Sequence, residues 1–506
     1  MATALLMVLL AAGAPEENVV FRADFNEDKA LGPWSGSAGA LVAGHDGTPS
    51  LVIGNEDAGR SAMRRAALGV GRMAGKLITL SAVVKAENVG EPPNPWNGIK
   101  VMLVLETEEG KQFPQLDLPT GTFDWRPATR PVRVPREVVS AQLCVGLERV
   151  TGTAWFDNLE IRLGRPHAGG QRAALRFKGH NLPRLRGVMH GPRFNDADLR
   201  DLALEWHANQ VRWQLNWTPM KKAEEWAQDL DAYDRWLDEA LIECDKALDA
   251  CEKYGLKVLV DLHTPPGGRA EGGVCRMFRD QRYQDKLLGV WKRIAARYEG
   301  RDVIYAYDLL NEPVEGRVAE GLCNWRELAT RATQAIRAID PGKPVVFEPG
   351  PWGGPEGLDR TLPLDVDRVI YSFHMYKPHA FTHQGVHGAP VGLAYPGEIN
   401  GVRWDKEQLR ETMRPAIDFQ REFNVHIYVG EFSAIRWAPD NGAYRYLRDV
   451  IDLFEEYGWD WSYHAFREWD GWSVEHGPDP DNHEPTSTDR QRLLRDWFSK
   501  NQQRAP

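Results

Sequence analysis

The sequence predicts an α/β protein, a (β/α)8 TIM barrel preceded by an all-β domain of jelly-roll or β-sandwich type. Three observations carry this expectation. From residue 184 onward, eight strand-like apolar runs recur and mostly alternate with amphipathic helical segments. Before residue 165, short alternating runs are separated by turn-rich stretches, and no long helical periodicity interrupts them. Between the two regions, 164–183 has the Gly- and Pro-containing composition of a linker.

The 506 residues are too many for one ordinary core, so two domains are expected. The predicted boundaries are 18–165 for the β-domain and 175–503 for the barrel. Residues 2–14, ATALLMVLLAAGA, form a short apolar run ending in small residues, so 1–14 is expected to be a signal peptide. That run is too short to span a bilayer, and no other stretch resembles a membrane span. A secreted or periplasmic location follows as the expectation.

In the first region the strand-like runs are VVFRADF (19–25), LITLSAVVKA (77–86), IKVMLVLET (99–107), VVSAQLCVGLE (138–148) and TAWFDNLEIRL (153–163). In the second they are LRGVMH (185–190), NQVRWQLNW (209–217), LKVLVDLH (256–263) and VIYAYDLLN (303–311), then PVVFEP (344–349), RVIYSFHMY (368–376), HIYVGEF (426–432) and WDWSYHAF (459–466). These are nearly continuous apolar runs, as strands buried on both faces should be. Residues 234–255, 283–299, 323–339, 405–423, 442–457 and 487–500 have helical periodicity; the helix between the fifth and sixth strands is the least distinct. An open doubly wound sheet would bring a glycine-rich phosphate turn after an early strand, and the sequence has no G-x-G-x-x-G there.

A net charge of −10 argues against a nucleic-acid partner, which would need clustered Lys and Arg. The 19 tryptophans raise the expectation of a carbohydrate partner, because flat apolar rings stack on sugar faces. The five cysteines are an odd number without C-x-x-C, so neither a zinc site nor a disulfide framework is indicated; a single Cys275–Cys323 bridge is left open. No metal or other cofactor is expected: H-E-x-x-H is absent, and so is the G-x-S-x-G of serine hydrolases.

Barrel active sites are built just past the C-terminal ends of the strands. Here the second strand offers Arg212 and the third ends in Asp261-Leu262-His263. The fourth ends in Asn311-Glu312-Pro313, the sixth in His374-Met375-Tyr376, and the seventh in Gly430-Glu431-Phe432. Two carboxylates therefore stand at the ends of strands four and seven, among Arg, His and Tyr. Glycoside hydrolysis needs such a pair: one protonated to help the leaving oxygen depart, the other ionised to attack or to activate water. Arg212 would hold the nucleophile ionised, and Tyr376 could hydrogen-bond it. Each residue alone has an ordinary structural explanation; their joint placement carries the expectation.

With these residues the barrel resembles glycoside hydrolase family 5, the cellulase-type family of clan A. The resemblance covers most of 184–500. It implies Glu312 as acid/base and Glu431 as nucleophile of a retaining double displacement. It implies Asn311 at the sugar 2-hydroxyl, His263 and His374 lining the −1 subsite, and Tyr376 orienting the nucleophile. The family commonly places a sugar-stacking Trp near the end of strand eight; here WSYHAFREWDGW has His464 in the strand, and Trp469 is the assigned stacking residue. The loop 264–280 is expected to wall the cleft, with Trp217 and Trp352 as further platforms. Gly152 to Asn158 resembles the end of jelly-roll carbohydrate-binding modules.

The expected function is thus a retaining glycoside hydrolase acting on a polysaccharide or oligosaccharide, first an endo-β-1,4-glucanase. Mannan, xylan, β-1,3-glucan and glycolipid remain open within the family, and a non-catalytic polysaccharide-binding protein is the alternative from another class.

Overall fold

The computed structural model describes residues 18–26, 30–94, 96–108, 110–164, 180–319 and 321–501. The expected signal peptide, 1–14, and most of the linker lie outside them. The chain forms two compact units, Met1–Gln171 and Arg172–Pro506.

The first unit is all-β, as expected. One antiparallel sheet runs Ala40–Ala43, Pro49–Asn55, Gly152–Leu163, Leu77–Val89, Gly121–Arg133, with Val19–Ala23 also on Gly152–Leu163. A second runs Trp34–Ser35, Ser61–Leu68, Ser140–Glu148, Gly98–Thr107, Gly110–Gln112. Alternation decides which face is buried: Leu80, Val84, Phe156 and Ile161 of the first sheet share one apolar core with Val101, Leu103, Leu143 and Val145 of the second.

The second unit is a closed barrel of eight parallel strands: β1 Arg186–His190, β2 Gln210–Leu215, β3 Lys257–Leu262, β4 Ile304–Asp308, β5 Val345–Phe347, β6 Val369–Met375, β7 His426–Phe432 and β8 Asp460–Phe466. Outward side chains such as Val211, Trp213, Val258 and Val260 pack under the helices. The helices start where a side-chain oxygen can take the free N–H groups of the first turn. Asp229 caps Leu230–Tyr254, Asp280 caps Gln281–Tyr298, and Asn324 with Glu327 forms a capping box on Trp325–Arg337. Leu230–Tyr254 ends at Gly255, whose φ of +79° suits a residue without Cβ.

Two connections depart from a regular helix. Between β5 and β6 the chain makes only a 3-10 turn, Pro355–Asp359, because Pro349, Pro351, Pro355 and Pro363 deny a helix its N–H groups. The helix expected over 405–423 is two, Lys406–Thr412 and Arg414–Phe423, divided at Met413 just before Pro415. All five cysteines are buried and free, so the Cys275–Cys323 bridge left open by the sequence does not form. Among the described residues, no helix is long and apolar enough to cross a membrane.

Inside the barrel, period-two alternation stacks the side chains in layers. A lower apolar layer includes Leu259, Ala306, Val346, Ile370 and Tyr428. One step higher, strands β2 to β8 and their ends contribute Arg212, Asp261, Asp308, Glu348, His374, Glu431 and His464. The strand pairing is tight at Gly187 of β1, where an added Cβ would lie 1.9 Å from the Gln210 carbonyl oxygen. Gly187→Ala is expected to cost the barrel about 1–3 kcal/mol, read as a lower urea midpoint of its tryptophan fluorescence transition.

Candidate active site

Arg212 occupies the centre of the charged layer and is fully buried. Four carboxylates surround its guanidinium: Glu431 at 2.7 Å, Asp308 at 2.9 Å, Glu348 at 3.0 Å and Asp261 at 3.2 Å. Its Nη2 also donates to Asn311 Oδ1 at 3.0 Å. Burial alone would lower its pKa; the four negative charges win and hold it well above the ordinary value. Burial pushes Asp308 well above the usual carboxylate range despite Arg212, with Glu348 and Asp261 adding to the rise.

Glu431 is the most heavily supported of the four. Arg212 Nη1 donates to its Oε1, and Tyr376 Oη donates to its Oε2 at 2.9 Å. His464 Nδ1 lies 3.2 Å and His374 Nδ1 3.7 Å from that same Oε2. Burial works to raise the Glu431 carboxyl, but the charges of His374, His464 and Arg212 hold it well below the usual range. His464 is pushed up to about 9: burial opposes its charge, and Glu431 and Glu468 more than compensate.

Glu312 faces Glu431 across a short gap. One carboxylate oxygen of each lies within 4.8 Å of the other and of a His374 ring nitrogen. The two environments differ: the Glu312 side chain is 24% exposed, that of Glu431 only 5%. His374 touches both sides of the site, Nδ1 against Glu312 Oε1 at 2.9 Å and Nε2 against Glu348 Oε1 at 3.0 Å. Burial would strip its charge, yet Glu348 and Glu431 keep it well above the ordinary histidine value. With a carboxylate at each nitrogen, the ring acts as a double donor, and neither nitrogen offers a lone pair to a metal ion.

Asn311 and His263 form a linear chain of hydrogen bonds. Asn311 Nδ2 donates to His263 Nε2 at 3.2 Å, which places the His263 proton on Nδ1, facing Asp261 Oδ2 at 2.8 Å. The second N–H of the Asn311 amide is left for a ligand. Glu312 has φ +46°, a conformation uncommon without glycine. Its backbone is held from both ends: Glu348 Oε2 accepts from its N–H at 2.9 Å, and Arg269 Nη1 donates to its carbonyl at 3.0 Å. Arg269 Nη2 also donates to the Asn311 carbonyl at 3.0 Å, and its guanidinium lies 5.2 Å from the Trp352 ring centroid.

The sequence-assigned residues Arg212, His263, Asn311, Glu312, His374, Tyr376 and Glu431 are thus brought into one hydrogen-bonded set. Trp469 stands at the rim, 39% exposed, with its ring against Trp437 and Trp472. The ring that reaches Glu431's neighbours is Trp472, stacked 5.2 Å from Tyr376 and tilted 5.1 Å from His464. Trp352 is exposed on its loop, whereas Trp217 stacks on Trp236 at 5.3 Å. The sequence reading missed Glu348, Asp308, Arg269 and the His464–Glu468 pair. Glu348 carried a usable signal, a lone acid at the end of the fifth apolar run, and His464–Glu468 lay at the end of the eighth, where the family places an aromatic ring; Asp308 and Arg269 had none.

A second cluster, His180, His426 and Asp460, also brings three potential ligands together. His180 Nδ1 accepts from the Leu182 N–H at 3.2 Å, so its proton is on Nε2 and points at Asp460. With His426 Nε2 also 2.8 Å from Asp460 Oδ2, the three form a hydrogen-bonded triad rather than a ligand set.

Comparison with known proteins finds endoglucanase and glycoside hydrolase relatives. The chain is 29% identical over 262 residues to Endoglucanase C of Acetivibrio thermocellus, covering 46% of this chain and 75% of the relative. It is 26% identical over 274 residues to Cellodextrinase A of Ruminococcus flavefaciens, covering 52% and 75%. A solved glycoside hydrolase superposes with a TM-score of 0.51 at 25% identity, over 63% of this chain and 99% of that structure. Residues 169–469 match the Cellulase family, glycosyl hydrolase family 5, and with more than half its length inside that match the chain belongs to this family of glycoside hydrolases.

Proposed function

We propose that this protein is a retaining endo-β-1,4-glucanase with Glu312 as acid/base and Glu431 as nucleophile. The observation that carries the reading is the approach of the two carboxylates to within 4.8 Å in unlike environments. Retaining enzymes hold the pair about 5–5.5 Å apart, whereas inverting ones leave room for a water. Glu431, buried against three cations, stays ionised and attacks the anomeric carbon. Glu312, the more exposed of the pair, gives its proton to the departing glycosidic oxygen. It then takes a proton from the water that displaces Glu431 and releases the sugar with its configuration kept. Asn311 offers its free N–H to the 2-hydroxyl, His263 and His374 line the −1 subsite, and Tyr376 orients Glu431.

The glucan assignment draws on the relatives named endoglucanase and cellodextrinase. Trp469 and Trp352 supply exposed rings for sugar faces beyond the reacting unit. The N-terminal sandwich resembles carbohydrate-binding modules, and its exposed Trp96 and Phe113 are the side chains such a role would use. A polysaccharide substrate fits a secreted or periplasmic enzyme.

Three measurements test this reading. On a panel of β-linked oligosaccharides, cellohexaose is expected to be cut internally and faster than manno- or xylo-oligosaccharides; exclusive cleavage of another linkage reassigns the substrate. Proton NMR of the first products should show the β-anomer, and an α-anomer rules out double displacement. Glu431→Gln should lower kcat by at least about 10⁴-fold with the circular dichroism spectrum unchanged; wild-type rates would remove Glu431 from the reaction.

The raised pKa of His464 gives a pH signature. A group whose folded value exceeds its ordinary 6.5 stabilises fully below that pH, and the contribution is lost as pH climbs through about 9. His464→Gln should therefore be less stable than wild type at pH 6, by on the order of 2–3 kcal/mol, and the gap in urea midpoints should close toward pH 10.

A further inference from the structure

We propose that Glu348, at the end of β5, is a positioning residue that ties the acid/base and the nucleophile into one rigid unit. The proposal rests on the roles given above to Glu312 and Glu431. Glu348 is fully buried, and both its oxygens are committed. Oε1 accepts from Arg212 Nη2 and from His374 Nε2, each at 3.0 Å; Oε2 accepts from the Glu312 backbone N–H at 2.9 Å. Each partner continues to a catalytic carboxylate. Arg212 reaches Glu431 at 2.7 Å, and His374 reaches Glu312 at 2.9 Å while standing 3.7 Å from Glu431. The third bond fixes the backbone of Glu312 itself, which holds an unfavourable φ.

Charge balance does not account for this residue. Arg212 already has Asp261, Asp308 and Glu431 within 3.2 Å. A carboxylate serving only to neutralise Arg212 would need one oxygen on it. Glu348 instead spends its second oxygen on the acid's main chain and shares the first with the histidine between the two acids. The space over it is closed: a Cβ on Gly353 would lie 2.9 Å from Oε2, and the His374 N–H donates to the Gly353 carbonyl at 2.7 Å. Glu348 therefore cannot touch the substrate and acts through Arg212, His374 and Glu312.

The test is Glu348→Gln in the full-length chain, with steady-state kinetics on cellohexaose and an NMR titration of the His374 ring. Glu312 and Glu431 face Nδ1 of that ring, and Glu348 faces Nε2, with Arg212 and Asp308 close by. The expected result is a fall in kcat of roughly 100-fold, KM within about threefold, and a His374 titration moved to lower pH. A folded variant with wild-type kcat overturns the proposal, as does a fall in kcat with the His374 titration unmoved. If the wild type hydrolyses no glucan, the functional reading fails, while the two His374 titrations still decide whether Glu348 holds that ring. If Glu348→Gln does not fold, the wild type alone decides: a His374 ring losing its proton at the ordinary histidine pH overturns the proposal.

Discussion

A fully buried guanidinium sets the terms for the upper half of the barrel. Arg212 cannot leave water without compensation, and removing one partner of such a buried pair typically costs about 3–5 kcal/mol. Its compensation comes from strands three, four, five and seven at once. Because strand side chains alternate, those four acids can meet Arg212 only if every strand keeps its register. The barrel's closure and the ionisation of Glu431 are therefore one problem with one solution. Burial raises Asp308, and the surrounding acids keep His374 and His464 charged.

That electrostatic arrangement separates two chemically identical side chains. Glu431 lies in the charged layer, with cations on three sides. Glu312 lies just above it, past the end of β4, partly open to the cleft. In the proposed mechanism the same carboxyl group serves as the attacking anion in one place and as the proton carrier in the other. His374 stands between them, with Nδ1 2.9 Å from Glu312 and 3.7 Å from Glu431.

Much of this was legible in the sequence, because the signals were periodic. Apolar strand runs and helical stripes gave the barrel, and placing polar residues at strand ends identified seven of the residues that meet in the site. Reading fared worse where function departs from periodicity. Glu348 ends the short fifth run, PVVFEP, and reads as part of a strand with no role of its own. Asp308 sits inside an apolar strand, where no local feature distinguishes a catalytic layer from a structural ion pair. His464 occupies the place where the family pattern called for an aromatic ring, which shifted the stacking assignment to Trp469 beyond it. The N-terminal unit announced its strands clearly but not a ligand, since the aromatics that pack a sandwich and those that face solvent share the same alphabet.

Arg269 joins things that are usually separate. It belongs to the loop after β3, lies against the exposed Trp352 on the loop after β5, and grips the main chain of Asn311 and Glu312. The loop wall carrying Trp352 and the main chain of Glu312 thus share a single guanidinium. Exchanging that loop to change which polymer is accepted would also exchange part of the catalyst, so selectivity and turnover in this barrel must drift together.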